Sequence, residues 1–212
     1  MEFCFVSDVS GLWCYVLMKL FLARHAETGE QFKNRYVGSL DVPICEVEGA
    51  QAADRLAERL SLHAITGCYC SPLLRCRQTA EIVKGKTCCE VTIEKDLEEV
   101  DFGRWEGATF DEICRLDPAL VDQWSQNALS FAFPDGEDNQ HFYERVHSQI
   151  SRLLDCGKDS VLVVSHGGVI RVMICILLGL SFHEYLLFNI KPATYAELDV
   201  YGKSAVLSGL NL

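Results

Sequence analysis

The sequence has little that would bind nucleic acid, enter a membrane or hold a metal. Its 212 residues include 19 lysines and arginines against 30 aspartates and glutamates, giving a formal net charge of −11 and a pI near 5.0. So acidic a chain repels nucleic acid and anionic membrane surfaces, and we expect neither as a partner. No two cysteines have the C-x-x-C spacing and no H-E-x-x-H motif occurs, which argues against the common zinc sites.

The cysteines do not indicate a disulfide framework. There are eleven, an odd number, and Cys68, Cys70 and Cys175 fall on apolar faces of expected elements. A thiol in such a place behaves as a small hydrophobic side chain. We therefore expect free thiols and a cytoplasmic protein.

A targeting or membrane-spanning segment is also not indicated. Residues 11–23 are largely apolar, but they are too few to span a bilayer and Lys19 interrupts them. Only Glu2 and Asp8 are charged before them, so the basic region of a signal peptide is missing. We expect residues 1–17 to be an extension outside the fold and residues 18–212 to form one domain.

Short apolar strands alternate with helical patterns, which predicts an α/β fold with a mostly parallel sheet in a three-layer α/β/α arrangement. Strands are expected at residues 19–23, 65–70, 91–93 and 161–164, with a closing hairpin at 194–200 and 205–210. Helices are expected at residues 49–60, 72–83, 110–116, 118–126, 138–154 and 169–178. Ser71 would cap the second helix, with Pro72 at its first position.

Two further features concern the outside of this sheet. The segment at about 104–133 is too long for a simple connection, so we expect a small helical cap there. The apolar C-terminal hairpin is a candidate edge for a homodimer.

Polar groups follow three of the expected strands. Arg24 and His25 follow the first, Arg75 lies in the helix after the second, and His166 with two glycines follows the fourth. Ligands bind at the carboxyl ends of parallel strands, so these groups should converge. Two guanidiniums, a helix N-terminus and closely approaching glycine N–H groups suit a phosphoryl dianion, and an imidazole can be the nucleophile. Each feature alone is common on protein surfaces, whereas their conjunction predicts a phosphate-ester site.

The same segments resemble the histidine phosphatase superfamily, which includes the cofactor-dependent phosphoglycerate mutases. The matching segments are LFLARHAET at 20–28, SPLLRCRQTA at 71–80, LEEVDFGRWEG at 97–107, PDGE at 134–137 and VVSHGGVIR at 163–171. The resemblance covers nearly everything after Met18.

The resemblance implies a metal-independent phosphomonoesterase that needs no cofactor and acts through a phosphorylated His25. It also implies phosphate contacts from Arg24, Thr28, Gln31, Arg75, His166 and Gly167. Glu99 would be the proton donor. The residues alone leave Glu98 open as the acid, because neighbours in a strand-like backbone point to opposite sides, and the resemblance favours Glu99.

Three positions depart from the family pattern. Ala26 stands where glycine usually follows the nucleophilic histidine, Gln31 stands where asparagine is common, and Asp138 stands where serine is common. These changes would tune the rate or the substrate, since the central groups all remain.

The substrate is indicated less sharply than the chemistry. The chain lacks the extra segments of the mutases, and its closing residues 188–212 loosely resemble α-ribazole phosphatases, so we expect the small phosphorylated metabolite α-ribazole 5′-phosphate. A broad-specificity phosphatase, a phosphoglycerate mutase and a non-catalytic phosphate-ester binding module remain as alternatives. The cap aromatics would either shape the leaving-group pocket or pack the core of the cap; they are Trp105, Phe110, Trp124, Phe131 and Phe133.

Overall fold

The computed structural model describes residues 6–7, 13–14 and 18–212. Strands β1 (Val6–Ser7) and β2 (Trp13–Cys14) form a short antiparallel ladder separate from the main sheet. The expected extension at 1–17 otherwise lies outside the described residues. The remaining elements are β3 (Met18–Arg24), α1 (Glu48–Leu60), β4 (Gly67–Cys70), α2 (Leu74–Thr87), β5 (Val91–Ile93), α3 (Phe110–Leu116), α4 (Pro118–Gln126), α5 (Asn139–Leu154), β6 (Ser160–Ser165), α6 (Gly167–Leu178), β7 (Tyr195–Tyr201) and β8 (Ser204–Gly209).

Within the described residues, six strands form the main sheet in the order β5–β4–β6–β3–β7–β8. The first four of these strands are parallel to one another, and β7 and β8 add an antiparallel edge. The predicted mostly parallel α/β architecture is confirmed. Strand β6 lies at the centre, where its valine-rich run is buried on both faces. Strand β8 is an edge strand, and a dimer through it stays a prediction.

Alternation along the strands divides the core into two layers. On β3, Leu20 and Leu22 pack into the cluster that contains the buried residues of α5 and α6. Phe21 and Ala23 point the other way, into the cluster with α1 and α2. Successive strand side chains face opposite sides, so this one apolar run serves both layers. Among the described residues, no helix combines the length and the apolar character needed to cross a membrane.

The segment expected to form a cap contains α3 and α4. Thr109 and Glu112 form a capping box at the start of α3. Trp105 is fully buried, and its indole N–H donates to Asp117 Oδ2 at 2.6 Å. Asp117 also pairs with Arg104 at 2.6 Å, so the carboxylate between α3 and α4 joins the two helices to the preceding turn.

The predicted start of α2 was wrong. Residues 71–73 remain outside the helix, which begins at Leu74 rather than at Pro72. Ser71 does not cap it; instead Asp41 Oδ1 accepts from Leu74 N at 2.5 Å. The capping carboxylate therefore comes from a loop more than thirty residues away in sequence, and Ser71 is free for another role.

Helix α6 begins two residues earlier than its apolar pattern predicts, at Gly167 rather than at Val169. Glycine has a low helix propensity, and the sequence pattern therefore undercounted the first turn. The earlier start places the N–H groups of Gly167 and Gly168 at the helix N-terminus, directly after β6.

Candidate active site

His25 follows β3 at the carboxyl edge of the sheet. Its backbone N–H donates to Ser165 O at 2.9 Å, which extends the ladder between β3 and β6 by one step. The side-chain Nδ1 lies 2.7 Å from Ala26 O, an acceptor, so Nδ1 carries the proton and donates it there. Burial, then the charges of Arg24 and Arg75, hold the pKa of His25 well below its usual range. The ring is therefore neutral, with the Nε2 lone pair available for attack.

Two guanidiniums lie beside this imidazole. Arg24 Nη1 donates to Ile190 O at 2.7 Å, whereas its buried Nε has no partner among the described residues. Arg75 is 2% exposed, and it donates to the carbonyls of Gly38 and Leu40 at 2.6 and 2.7 Å. Each guanidinium retains N–H groups beyond these anchors, in the fork geometry that suits phosphate oxygens.

The loop of residues 36–43 holds Arg75 in place. Gly38 has a φ of +41°, and a Cβ there would lie 2.0 Å from Glu106 Oε1 and 2.7 Å from Val100 O. Glu106 Oε1 accepts from Ser39 N at 2.8 Å, so the carboxylate fixes the loop whose carbonyls receive Arg75.

His166 is placed differently from the expectation. It is fully buried and does not line the cavity. Its Nδ1 accepts from Arg75 Nε at 3.2 Å, and its Nε2 lies 2.8 Å from Ser71 Oγ. Burial and then the charge of Arg75 hold its pKa well below the usual range. In this arrangement a neutral His166 orients Arg75, and its ring lies beside that of His25, with the ring centroids 5.2 Å apart.

Glu99, and not Glu98, lines the cavity. Its Oε2 accepts from Gly168 N at 2.9 Å, and its Oε1 accepts from Val100 N at 3.2 Å. The carboxyl group is thus held against the first turn of α6. The direction of the backbone at 98–100 turns Glu99 into the cavity, whereas Glu98 does not line it, and the role of Glu99 as the acid stays a prediction.

Arg145 supports this acid, and the sequence analysis missed it. Its Nη1 donates to Glu98 O at 2.7 Å and its Nη2 to Glu99 O at 3.2 Å. Glu137 of the PDGE segment pairs with it through Nε at 2.7 Å and Nη2 at 2.9 Å. In the sequence, the one indication of this ion pair was its partner Glu137, which lies within the matched PDGE motif. Arg145 itself lies outside every motif.

The minor predicted contacts separate into two groups. Thr28 and Gly167 line the cavity with His25. Gln31 does not: it is exposed, and its amide folds back so that a Cβ on Gly29 would lie 2.4 Å from its Oε1. The short 3₁₀ turn Glu30–Phe32 turns this side chain to solvent, so a phosphate contact from Gln31 is not supported.

Ala26 fits its position without strain. It is fully buried in the cluster with α1 and α2, and it is not among the residues with positive φ. Its N–H donates to Thr79 Oγ1 at 3.0 Å, and Thr79 Oγ1 donates to Arg75 O at 2.8 Å. The methyl group therefore packs into the core, and Thr79 joins the nucleophile loop to α2.

These groups line one cavity of about 530 Å³ at the carboxyl edge of the sheet. Its floor holds Arg24, His25, Arg75 and Glu99, beneath the N-terminus of α6. Its walls are rich in aromatic side chains, which are Phe32, Tyr36, Phe102, Trp124, Phe133, Phe142 and Tyr185. The arrangement provides a neutral nucleophile, cations for a phosphoryl group and a carboxyl group positioned for proton transfer.

Comparison with known proteins agrees with this chemistry. A sequence model of the Histidine phosphatase superfamily (branch 1) matches residues 20–212. The chain belongs to the histidine phosphatase superfamily.

Two curated relatives and one solved structure resemble this histidine phosphatase along most of its length. Phosphoserine phosphatase 1 of Hydrogenobacter thermophilus is 32% identical over 92% of this chain and 93% of its own. The adenosylcobalamin/alpha-ribazole phosphatase of Escherichia coli is 31% identical over 92% and 96%. The crystal structure of the alpha-ribazole phosphatase of Shigella flexneri superposes with a TM-score of 0.82 at 30% identity, covering 92% and 96%.

Substitution of Gly168 would test how the carboxyl group of Glu99 is held in position. A methyl group at position 168 would lie 2.4 Å from Glu99 Oε1, so Gly168→Ala should push the carboxyl group off the helix N-terminus. We expect kcat to fall about 10- to 100-fold, the scale of a displacement near 1 Å, with the fold retained. Steady-state kinetics and circular dichroism would measure both.

Gly85→Ala is the matched control for this substitution. Gly85 also lies in a helix, and a Cβ there meets nothing within 4 Å. Activity should be unchanged, and stability should rise by about 0.5–1 kcal/mol. Full activity in Gly168→Ala would show that the position of Glu99 does not depend on this glycine.

Proposed function

We propose that this phosphatase hydrolyses phosphomonoesters through a phosphohistidine at His25, and that its substrate is α-ribazole 5′-phosphate. One observation supports the mechanism above all others. A neutral imidazole, its Nδ1 proton held by Ala26 O, shares a cavity with two arginines and with Glu99. No metal is needed for charge neutralisation, because Arg24 and Arg75 supply it.

In the first step, His25 Nε2 attacks phosphorus from the side opposite the leaving oxygen. A nitrogen–phosphorus bond forms as the bond to the alcohol oxygen breaks, and Glu99 gives its proton to that oxygen. Arg24 and Arg75 neutralise the charge on the equatorial oxygens. The Nδ1 proton remains on the ring, so the phosphorylated imidazole is cationic and a better leaving group for the next step.

In the second step, a water molecule replaces the alcohol. Glu99 takes one proton from the water as its oxygen attacks phosphorus, and the nitrogen–phosphorus bond breaks. His25 returns to its neutral form and inorganic phosphate leaves. The balance is one ester and one water consumed for one alcohol and one phosphate released.

The cavity walls favour the proposed substrate, and relatives named for it stand at nearly the same identity as one named for phosphoserine. Of the cap aromatics, Trp124 and Phe133 line the cavity, whereas Trp105 and Phe131 pack beneath them and Phe110 is 47% exposed outside it. Flat aromatic walls suit a planar base. Relatives named for α-ribazole phosphate cover more than nine-tenths of the chain.

The test measures phosphate release from α-ribazole 5′-phosphate in the presence of a chelator, beside 4-nitrophenyl phosphate and 3-phosphoglycerate. We expect the highest kcat/KM for α-ribazole 5′-phosphate and no effect of the chelator. Trp124→Ala should lower kcat/KM for α-ribazole 5′-phosphate about tenfold, on the scale of one lost stacking contact. Phe110→Ala, a cap aromatic outside the cavity, should have no effect.

The alternatives give different results in the same assay. Equal, low efficiency on all three esters would overturn the substrate and leave a broad-specificity phosphatase. Isomerisation of 3-phosphoglycerate without net phosphate release would indicate a mutase. Saturable binding of an ester with no turnover would indicate a binding module and overturn the mechanism.

A further inference from the structure

Three polar side chains that line the cavity take no part in the steps described. Tyr36, Arg171 and Tyr185 line the same cavity as His25. The two phenol O–H groups and the terminal nitrogens of Arg171 have no hydrogen-bond partner among the described residues. Polar donors that face a cavity without partners are free to bind a ligand there.

Arg171 is held in a definite direction. It lies one helical turn beyond Gly167 on α6, so its side chain is on the same face of the helix as Gly167. Its Nε donates to Phe188 O at 2.7 Å, which fixes the plane of the guanidinium. The described residues offer Arg171 no carboxylate partner.

The two tyrosines are close enough to feel this charge. Burial raises the pKa of Tyr185 to about 12, and the charge of Arg171 opposes that shift. Burial also raises the pKa of Tyr36, where Arg171 again opposes it. Tyr185 stacks on Phe182 with ring centroids 4.9 Å apart, and Tyr36 packs edge-on against Phe102 at the same distance. Both phenols therefore stay protonated donors on rigid rings.

The charges lining the cavity restrict what these donors can bind. Its cations are Arg24, Lys33, Arg35, Arg75 and Arg171, and its carboxylates are Glu27, Glu30 and Glu99. Arg35 is paired with Glu112 at 3.0 Å, and Glu99 carries the proton that the first step transfers. The other four cations against Glu27 and Glu30 leave a net charge of two positive, which a phosphate dianion balances. A carboxylate on the leaving alcohol would add an unbalanced negative charge, whereas a neutral hydroxyl group would not.

We infer that Tyr36, Arg171 and Tyr185 form a hydroxyl-binding subsite that selects phosphomonoesters of neutral sugars or nucleosides over those of acidic alcohols. The subsite rests on the proposed phosphatase function and gives the leaving group its own set of contacts. Arg171 and the phenols donate to the sugar oxygens, and the aromatic walls beyond them contact whatever the sugar carries.

The test compares kcat/KM for ribose 5-phosphate, 2-deoxyribose 5-phosphate and O-phosphoserine. For the wild type we expect ribose 5-phosphate to exceed each of the others roughly tenfold, because the 2-deoxy ester leaves donors unpaired and phosphoserine brings a carboxylate. Arg171→Met and Tyr185→Phe should each reduce the ratio of ribose to 2-deoxyribose ester toward one. Unfolding midpoints would confirm that both variants fold.

The matched controls are Arg115→Met and Tyr143→Phe. Arg115 is exposed on α3 away from the cavity, and Tyr143 packs on the same Phe182 ring as Tyr185 without lining the cavity. Both should keep the wild-type ratio. A preference for phosphoserine, or a ratio that Arg171→Met and Tyr185→Phe leave unchanged, would overturn the subsite while leaving the phosphatase in place. Absence of phosphate release from these three esters and also from α-ribazole 5′-phosphate would instead overturn the proposed function, whereas turnover of α-ribazole 5′-phosphate alone would overturn only the subsite.

Discussion

His25→Ala should lose phosphate release by on the order of 10³-fold or more while keeping the fold. The substitution removes the Nε2 lone pair that attacks phosphorus, and among the described residues no other imidazole lines the cavity. The ring's own hydrogen bond is local, to Ala26 O, so its loss should leave the sheet intact. Initial rates with α-ribazole 5′-phosphate and a thermal unfolding curve would measure the two effects.

The phosphorylated intermediate gives this prediction a direct readout. Wild-type protein quenched during turnover should carry one phosphoryl group that is labile in acid and stable in base, as expected for a nitrogen–phosphorus bond. His25→Ala should carry none. His147→Ala, an exposed histidine on α5, should behave as the wild type. Label retained in His25→Ala would place the nucleophile elsewhere.

Glu99→Gln should slow turnover of an alkyl phosphate about 10²- to 10⁴-fold, the usual contribution of a positioned acid–base group. The amide can keep an acceptor for Gly168 N, so the geometry persists while the transferable proton is lost. Which of the two steps becomes slower depends on the leaving group. An alkoxide needs the proton, whereas 4-nitrophenolate leaves without it, so only the second step should be slow for 4-nitrophenyl phosphate.

Rapid-mixing kinetics would therefore show a burst of 4-nitrophenolate in Glu99→Gln, followed by slow turnover as phosphohistidine accumulates. The matched control is Glu98→Gln, because Glu98 is the neighbouring carboxylate and does not line the cavity. It should keep wild-type rates with both esters. If Glu98→Gln lost activity and Glu99→Gln kept it, the acid would be misassigned.

Periodicity predicted the elements of this fold because its strands and helices have uniform patterns. The run at β6 is apolar throughout, as a strand buried on both faces must be, and α1 shows its apolar face at helical spacing. The predicted starts of two helices were wrong, one because a distant residue caps the helix and one because glycines begin it. Asp41 caps α2 in place of Ser71, and the two glycines of α6 enter a helix that their own propensity disfavours.

The candidate site divides in the same way. His25, Arg24 and Arg75 could be predicted because each follows a strand whose carboxyl end lies at one edge of a parallel sheet. The position of Arg145 could not be predicted. It donates to the backbone carbonyls of Glu98 and Glu99, and every residue type carries the same carbonyl, so no sequence pattern marks this contact.

The sequence by itself determined the fold class, the family and the phosphoryl chemistry, because these depend on residue types at strand ends and on patterns within single elements. The tertiary structure decided which groups face the cavity. It turned Gln31 outward, buried His166 against Arg75 and directed Glu99 rather than Glu98 into the cavity. It also brought Tyr36, Arg171 and Tyr185 together from three distant segments. The direction of a side chain and its long-range contacts are fixed only when the helices and strands pack together, so the local sequence pattern cannot predict them.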